Sequence, residues 1–169
     1  MVYLPEKDII CVLCGFIQYE GFVLEIVSLE IKRDEELYRK NRYNKSKDFG
    51  LFCKVKKINL GDHSIDGRIF ASVSVVFNHI VIFGGIKDET ILNDMHFINM
   101  NDVNNPIINR VDVDSRLIVP RFGMSGIIYM DGIKQDISRL IIFGGSTEDG
   151  TKLIQSMTNE VIIFQIKVK

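Results

Sequence analysis

Only three cysteines occur in the 169 residues, and they cannot all pair with one another; Cys11 and Cys14 share one apolar run and Cys53 lies in another. A disulfide framework of the secreted type is therefore not what holds the chain together, and a reducing compartment fits better. Neither sign of charge is in excess. The 21 Lys+Arg against 22 Asp+Glu leave a net charge of -1, which gives no overall attraction for phosphate backbones or anionic lipid. Nucleic acid and membrane surfaces are thus not expected as partners. Long apolar runs are also missing, since none approaches the roughly 18 residues of a membrane span. The opening MVYLPEKDII has neither a basic n-region nor a small-residue cleavage site, so the expected address is cytoplasmic. The asparagine triplet Asn44-Lys45-Ser46 reads as a chance glycosylation match in that setting.

What is present is a succession of short apolar segments rich in Ile, Val and Phe, separated by Gly, Asn, Asp and charged residues. That is the punctuation of strands and turns. Strands are expected over residues 8–14, 22–31, 51–60, 70–77, 79–83, 95–100, 107–113, 124–130, 140–143 and 161–168, an all-β inventory. Helical periodicity is weak throughout. The charged stretch KRDEELYRKNRYNKSKD places Glu35 and Arg39 four apart, which allows a short helical turn near residues 34–40. It has no apolar stripe to dock on a core, so residues 32–49 read as a solvated insertion between two strands.

Comparison of the chain with itself reveals a repeat. Ile80-Val81-Ile82-Phe83-Gly84-Gly85 returns as Leu140-Ile141-Ile142-Phe143-Gly144-Gly145. Ahead of each copy stands an arginine that opens a strand, Arg68-Ile69-Phe70-Ala71-Ser72 and Arg121-Phe122-Gly123-Met124-Ser125. After each copy a polar pair opens another strand, Asn93-Asp94 in one case and Asn159-Glu160 in the other. A degraded third copy precedes them, with Ile9 to Gly15 in place of the glycine-pair strand and Cys14-Gly15 in place of the pair itself. A glycine pair after a buried strand lets the chain turn through positive φ and lets backbones approach closely. The extra length of the last copy falls at residues 131–138 and 146–158, where turns are expected and insertions are tolerated.

This order of landmarks resembles the kelch repeat, whose signature is the double glycine ending the second strand of a β-propeller blade. Pro120-Arg121-Phe122-Gly123-Met124-Ser125 is similar to the family's Pro-Arg-x-x-His-Ser opening, with methionine where histidine is common. Two departures are plain: there is no tryptophan, and the spacing is wider than the family's usual period of about 50 residues. The resemblance implies a partial propeller of antiparallel blades, with blade one near residues 8–60, blade two near 66–114 and blade three near 119–169. The motif residues would be Arg68, Gly84, Gly85, Asn93, Asp94, Arg121, Gly144, Gly145, Asn159 and Glu160, with the two arginines reaching carbonyls or carboxylates of a neighbouring blade. Ten strands, three plus four plus three, are fewer than the four to eight four-stranded blades of a closed ring. A piece of a longer protein is therefore expected, prone to self-association through exposed strand edges.

Chemistry is harder to find. Cys11 and Cys14 form a C-x-x-C, but residues three apart on a strand project to opposite faces, and no second pair follows. Buried apolar cysteine is the expected reading. His63, His79 and His96 are scattered, His96 reading as a packing residue, and no nucleophile elbow or phosphate cradle is visible. Residues 146–151 come near the sialidase Asp box, but the acid is displaced and the tryptophan absent. No catalytic residue, metal or cofactor is expected, and the chain is not expected to be an enzyme. The resemblance instead implies a scaffold or adaptor that recognises a protein partner through face loops, with residues 62–68, 114–121, 86–92 and 146–158 as contact surface. The alternative is a regulatory or targeting region of a larger enzyme, such as a kelch-containing serine/threonine phosphatase; a propeller enzyme in its own right ranks below both.

Overall fold

The computed structural model describes residues 1–17, 21–33, 51–60, 65–130, 137–147 and 157–167. Strands β1 (Val2–Leu4), β2 (Ile9–Ile17), β3 (Gly21–Arg33) and β4 (Leu51–Ile58) form the first sheet. Strands β5 (Ser72–Val76), β6 (His79–Phe83), β9 (Asp94–Asn99) and β10 (Ile107–Asp112) form the second, with β7 (Ile86–Lys87) and β8 (Thr90–Ile91) as a separate hairpin between β6 and β9. Strands β11 (Ser125–Met130), β12 (Ile137–Phe143) and β13 (Val161–Lys167) form the third. Pairing is antiparallel throughout, and within each of the three sheets neighbours in space follow one another along the chain. The protein is all-β, as the composition of its apolar segments anticipates, and no helix occurs among the described residues. Residues 34–40 lie outside the described residues.

Several expectations need correction. The first sheet has four strands, because Val2–Leu4 pairs with β2 from Val2↔Cys11 to Leu4↔Ile9; three residues ahead of Pro5 are too few to display an alternation. Cys14-Gly15 is not a turn like the later glycine pairs. It lies inside β2, which runs on to Ile17 with a register shift between Leu13 and Gly15, so the single glycine sits at a bulge. Strand β12 begins at Ile137 rather than at residue 140. The β7–β8 hairpin was hidden because its two-residue turn uses Asp88 and Glu89 at φ 46° and 67°, positions where Asn-Gly would have announced it.

Period-two alternation explains how the sheets stack. Along β6, Ile80 and Ile82 join Leu4, Cys11, Leu13 and Ile26 in one buried cluster, while Val81 and Phe83 join Leu140, Ile142 and Met124 in another. The second sheet is therefore covered on both faces, which is why its central strand reads as a continuous apolar run. The Phe83 ring meets Phe164 of the third sheet at 5.3 Å between centroids, tilted by 60°, within the range where aromatic pairs attract. The first strands of the three sheets also touch in series, β1 against β5 and β5 against β11. The third sheet, by contrast, buries one face only: Phe143 is 54% exposed where its repeat counterpart Phe83 is 0% exposed.

This asymmetry sets a direct comparison. Phe83→Ala should cost about 3–5 kcal/mol through lost burial and a cavity, whereas Phe143→Ala should change stability by less than about 0.5 kcal/mol. Urea unfolding of the two variants checks the difference, and equal costs would contradict the stacking order.

Candidate functional site

Arg68 and Arg121 are the largest fully buried side chains of the described residues, and a guanidinium can be buried only if its donors find acceptors. In Arg68, Nε donates to the Asp66 carbonyl at 3.0 Å and Nη1 to the Gly84 carbonyl at 3.1 Å. Nη1 and Nη2 together hold both oxygens of Asp94, at 2.5 and 3.0 Å. This bidentate geometry is the strong form of the pair. His96 completes the cluster, with Nε2 at 2.7 Å from the second Asp94 oxygen. Burial by itself would raise the Asp94 pKa, but the hydrogen bonds from His96 and Arg68 prevail and hold the carboxyl well below its ordinary range.

The same bracket recurs in the third unit. Arg121 donates from Nε to the Val119 carbonyl at 3.2 Å, from Nη1 to the Gly144 carbonyl at 3.3 Å, and from Nη2 to Glu160 at 2.9 Å. Backbone bonds repeat in step: Gly84 N–H to the Asp94 carbonyl and Gly144 N–H to the Glu160 carbonyl are both 3.1 Å. The pairing of Ile69 with Ile86 returns as that of Phe122 with Ser146. Both arginines thus find their partners within their own unit and not across a unit boundary, correcting the expectation. The glutamate, one methylene longer, leaves the second bracket more open; Arg121 is 1% exposed but the Glu160 side chain is 63% exposed.

The glycine pairs do what positive φ allows. Gly84 and Gly85 sit at φ 61° and 103°, Gly144 and Gly145 at 71° and 96°. At Gly84 a Cβ would come within 2.6 Å of the Arg121 carbonyl oxygen, so side-chain-free backbone is required where the units meet. Two backbone hydrogen bonds cross that boundary, Gly85 N–H to Arg121 C=O at 3.0 Å and Gly123 N–H to Phe70 C=O at 2.8 Å. Asn93 ties the boundary from the other side, its Nδ2 donating to the Val113 and Ile118 carbonyls at 3.0 and 2.8 Å. Its counterpart Asn159 is exposed.

These brackets gather the candidate contact loops at one end of the sheets. Lys87 of the β7–β8 hairpin bridges to Asp66 at 2.7 Å, and the Phe70 ring stands 6.3 Å from that of Phe122. Residues 62–64 and 148–156 of those loops lie outside the described residues. Between the loops opens a cleft of about 830 Å³ whose walls include Phe70, Phe122, Phe143 and Met157, with Glu89 at its edge. Phe70 holds φ 55° while 62% exposed, a strained conformation for a bulky residue that is often kept at binding sites. Its repeat counterpart is Gly123, at φ 67°.

Sequence reasoning missed two of these residues. His96 was read as packing because it aligns with Ile162 of the next unit; its position two after a buried aspartate on the same strand face was the available signal. Phe70 aligns with a glycine, and that mismatch was the signal for strain. At the C-x-x-C, burial pushes the Cys11 thiol up to about 11, which disfavours a reactive thiolate at neutral pH; the Cys14 side chain lies outside the described side chains. No helix of the described residues is long and apolar enough to cross a membrane. Neither protein-family models nor curated proteins match the chain.

Two outcomes follow from the unequal brackets. Arg68→Met strands a buried carboxylate and should cost about 3–5 kcal/mol in chemical unfolding, whereas Glu160→Gln removes an exposed partner and should cost less than about 1 kcal/mol. The pH dependence has a definite sign. Because Asp94 is held below its unfolded pKa of about 3.9, the unfolded chain takes up the proton first as pH falls. The Asp94 contribution is therefore whole above about pH 4 and is lost progressively below it, and Asp94→Asn should flatten the stability profile between about pH 4 and pH 2.

Proposed function

We propose that this chain is a non-catalytic protein-interaction module, a run of kelch-type β-propeller blades acting as a scaffold or adaptor that recognises a protein partner through the loops at one end of its sheets. The observation that carries the reading is the duplicated arginine, glycine-pair and acid bracket. It brings the loops before β5, between β6 and β9, and before β11 to the same end, around an aromatic-walled cleft. Aromatic side chains held on rigid turns are the kind of surface on which partner binding concentrates. The sequential antiparallel sheets, packed face to face with their first strands in contact, support the propeller part of the proposal. A cytoplasmic address belongs to the same reading, on the low cysteine count and balanced charge. So does self-association, because among the described residues the outer edge of β13 has no strand partner and the adjoining sheet face exposes Val161 and Ile163.

The test separates binding from folding. Peptides selected from a random display library on the immobilised chain are measured against wild type and Phe70→Gly. Glycine adopts the φ of this position without strain, so the melting temperature should stay equal or rise. Affinity for the selected peptides should fall by about tenfold or more, as for an aromatic anchor. Unchanged affinity would move partner recognition away from this end and overturn the proposal.

A further inference from the structure

The turn between β1 and β2 meets the connection between β9 and β10 at the end of the sheets away from the glycine pairs. Asn78 Nδ2 donates to Glu6 and, at 3.0 Å, to Asn101, while Lys7 Nζ donates to the Asn101 carbonyl at 3.0 Å. Beside this contact a cleft of about 300 Å³ opens between the first and second units. One wall is the face of the first sheet that places Ile26 and Ile58 in the core. Period-two alternation carries Ser28 and Glu30 of β3 onto that same face, opposite Lys56 and Lys54 of β4. Val103 of the β9–β10 connection lines the other side.

Charge in the cleft is one-sided. Lys7, Lys54 and Lys56 share it with a single carboxylate, Glu30, so three positive charges against one negative leave an excess of two. The acids nearby are engaged elsewhere: Glu6 accepts from Asn78, Asp8 from the Tyr3 hydroxyl at 2.8 Å, and Asp102 from the Asn104 N–H at 2.9 Å. Neutral oxygens hold two of the ammonium groups, the Asn101 carbonyl for Lys7 and Asn104 Oδ1 for Lys56. Each such contact occupies one of three donors and positions the rest. Ser28, only 7% exposed, donates its hydroxyl to the Lys56 carbonyl at 3.2 Å, and a hydroxyl hydrogen can rotate toward a bound oxygen. The net charge of -1 conceals this collection of lysines, because a balanced total is silent on where charges gather.

We propose that this cleft binds the dianion of a small, soluble phosphate monoester, held by the ammonium groups of Lys7, Lys54 and Lys56 and by the Ser28 hydroxyl. Two negative charges match the excess on the walls. Lysine serves phosphate as a compact charge on a flexible stem, whereas a carboxylate ligand brings one charge to a site that already holds Glu30. The volume lies at the lower limit of ligand pockets, which run from about 300 to 1,000 Å³, and suits one phosphoryl group with a short organic remainder. The walls come from two adjoining units at the end away from the aromatic cleft, so this site stands independently of the proposed partner surface.

The test titrates glycerol 3-phosphate into the full chain and follows the backbone amides of Ser28, Lys56 and Val103 by NMR, with the melting temperature checking that each variant is folded. The expected result is a saturable shift of these amides with a midpoint near about 1 mM. Combining Lys54→Gln with Lys56→Gln should weaken binding about tenfold or more, while Lys57→Gln, on the opposite face of β4, should leave it within about twofold. Should the double variant not fold, Lys7→Gln, in a turn, carries the same comparison. The midpoint should also rise as pH falls through about 6, where the ester takes up its second proton. No saturable shift up to about 20 mM, an undiminished shift in the folded double variant, or equal weakening by Lys57→Gln overturns the inference. Vesicles of phosphatidylcholine containing phosphatidic acid present the same monoester at a surface; binding to them without a response to glycerol 3-phosphate assigns the cleft to a lipid headgroup and overturns it too. Amide shifts that grow with protein concentration alone do the same, because the cleft then takes a second copy.

Discussion

A buried guanidinium cannot be left to find partners by chance, and the placement of Arg68 governs the architecture around it. Its acceptors come from three separated parts of the unit: the turn before it, the glycine pair at the end of β6, and the aspartate that opens β9. Satisfying all of them brings a loop, a strand end and a strand start to one level. The glycine pair can present a carbonyl to the arginine only by leaving the strand at positive φ. That same departure clears room for the backbone of the next unit. One ion pair thus sets both the internal closure of a unit and the way it receives its neighbour.

The stacking that results is directional. Each side of the middle sheet faces a different neighbour, so adjacent residues on β6 serve two separate cores. The central strand β6 therefore has no solvent side and loses the polar alternation by which sheet faces are usually told apart, whereas the edge strand β10 is largely exposed. The third sheet keeps that alternation, with Leu140 and Ile142 buried and Phe143 exposed, because only one side of it is covered. Its other face carries the apolar residues that its counterpart buries. Among the described residues, Phe143, Val161 and Ile163 are exposed there.

Asp94 is enclosed between Arg68 and His96, which together hold both of its oxygens, while Nδ1 of His96 has no partner among the described residues. Exposed strain occurs at Phe70 and at Phe77, both phenylalanines at positive φ, and at Phe70 the next unit places glycine. Phe70 and Phe122 stand side by side on the wall of the cleft at that end.

The strand inventory, the arginine and glycine-pair repeat and the position of its polar partner were legible in the sequence, because alternation, turn residues and repeated spacing are local or nearly local signals. Strand β1 escaped through brevity, the β7–β8 hairpin through unorthodox turn residues, and the glycine at position 15 misled because a bulge and a turn share the same residue preference. Residue order alone was enough to read an all-β chain with a repeated arginine, glycine pair and polar partner. Packing was needed to show that each arginine closes on its own unit, that His96 joins the brace, and that the last glycine pair lines a cleft. Those facts depend on which faces meet across tens of residues of chain, and the geometry of a meeting between units is written in no single segment.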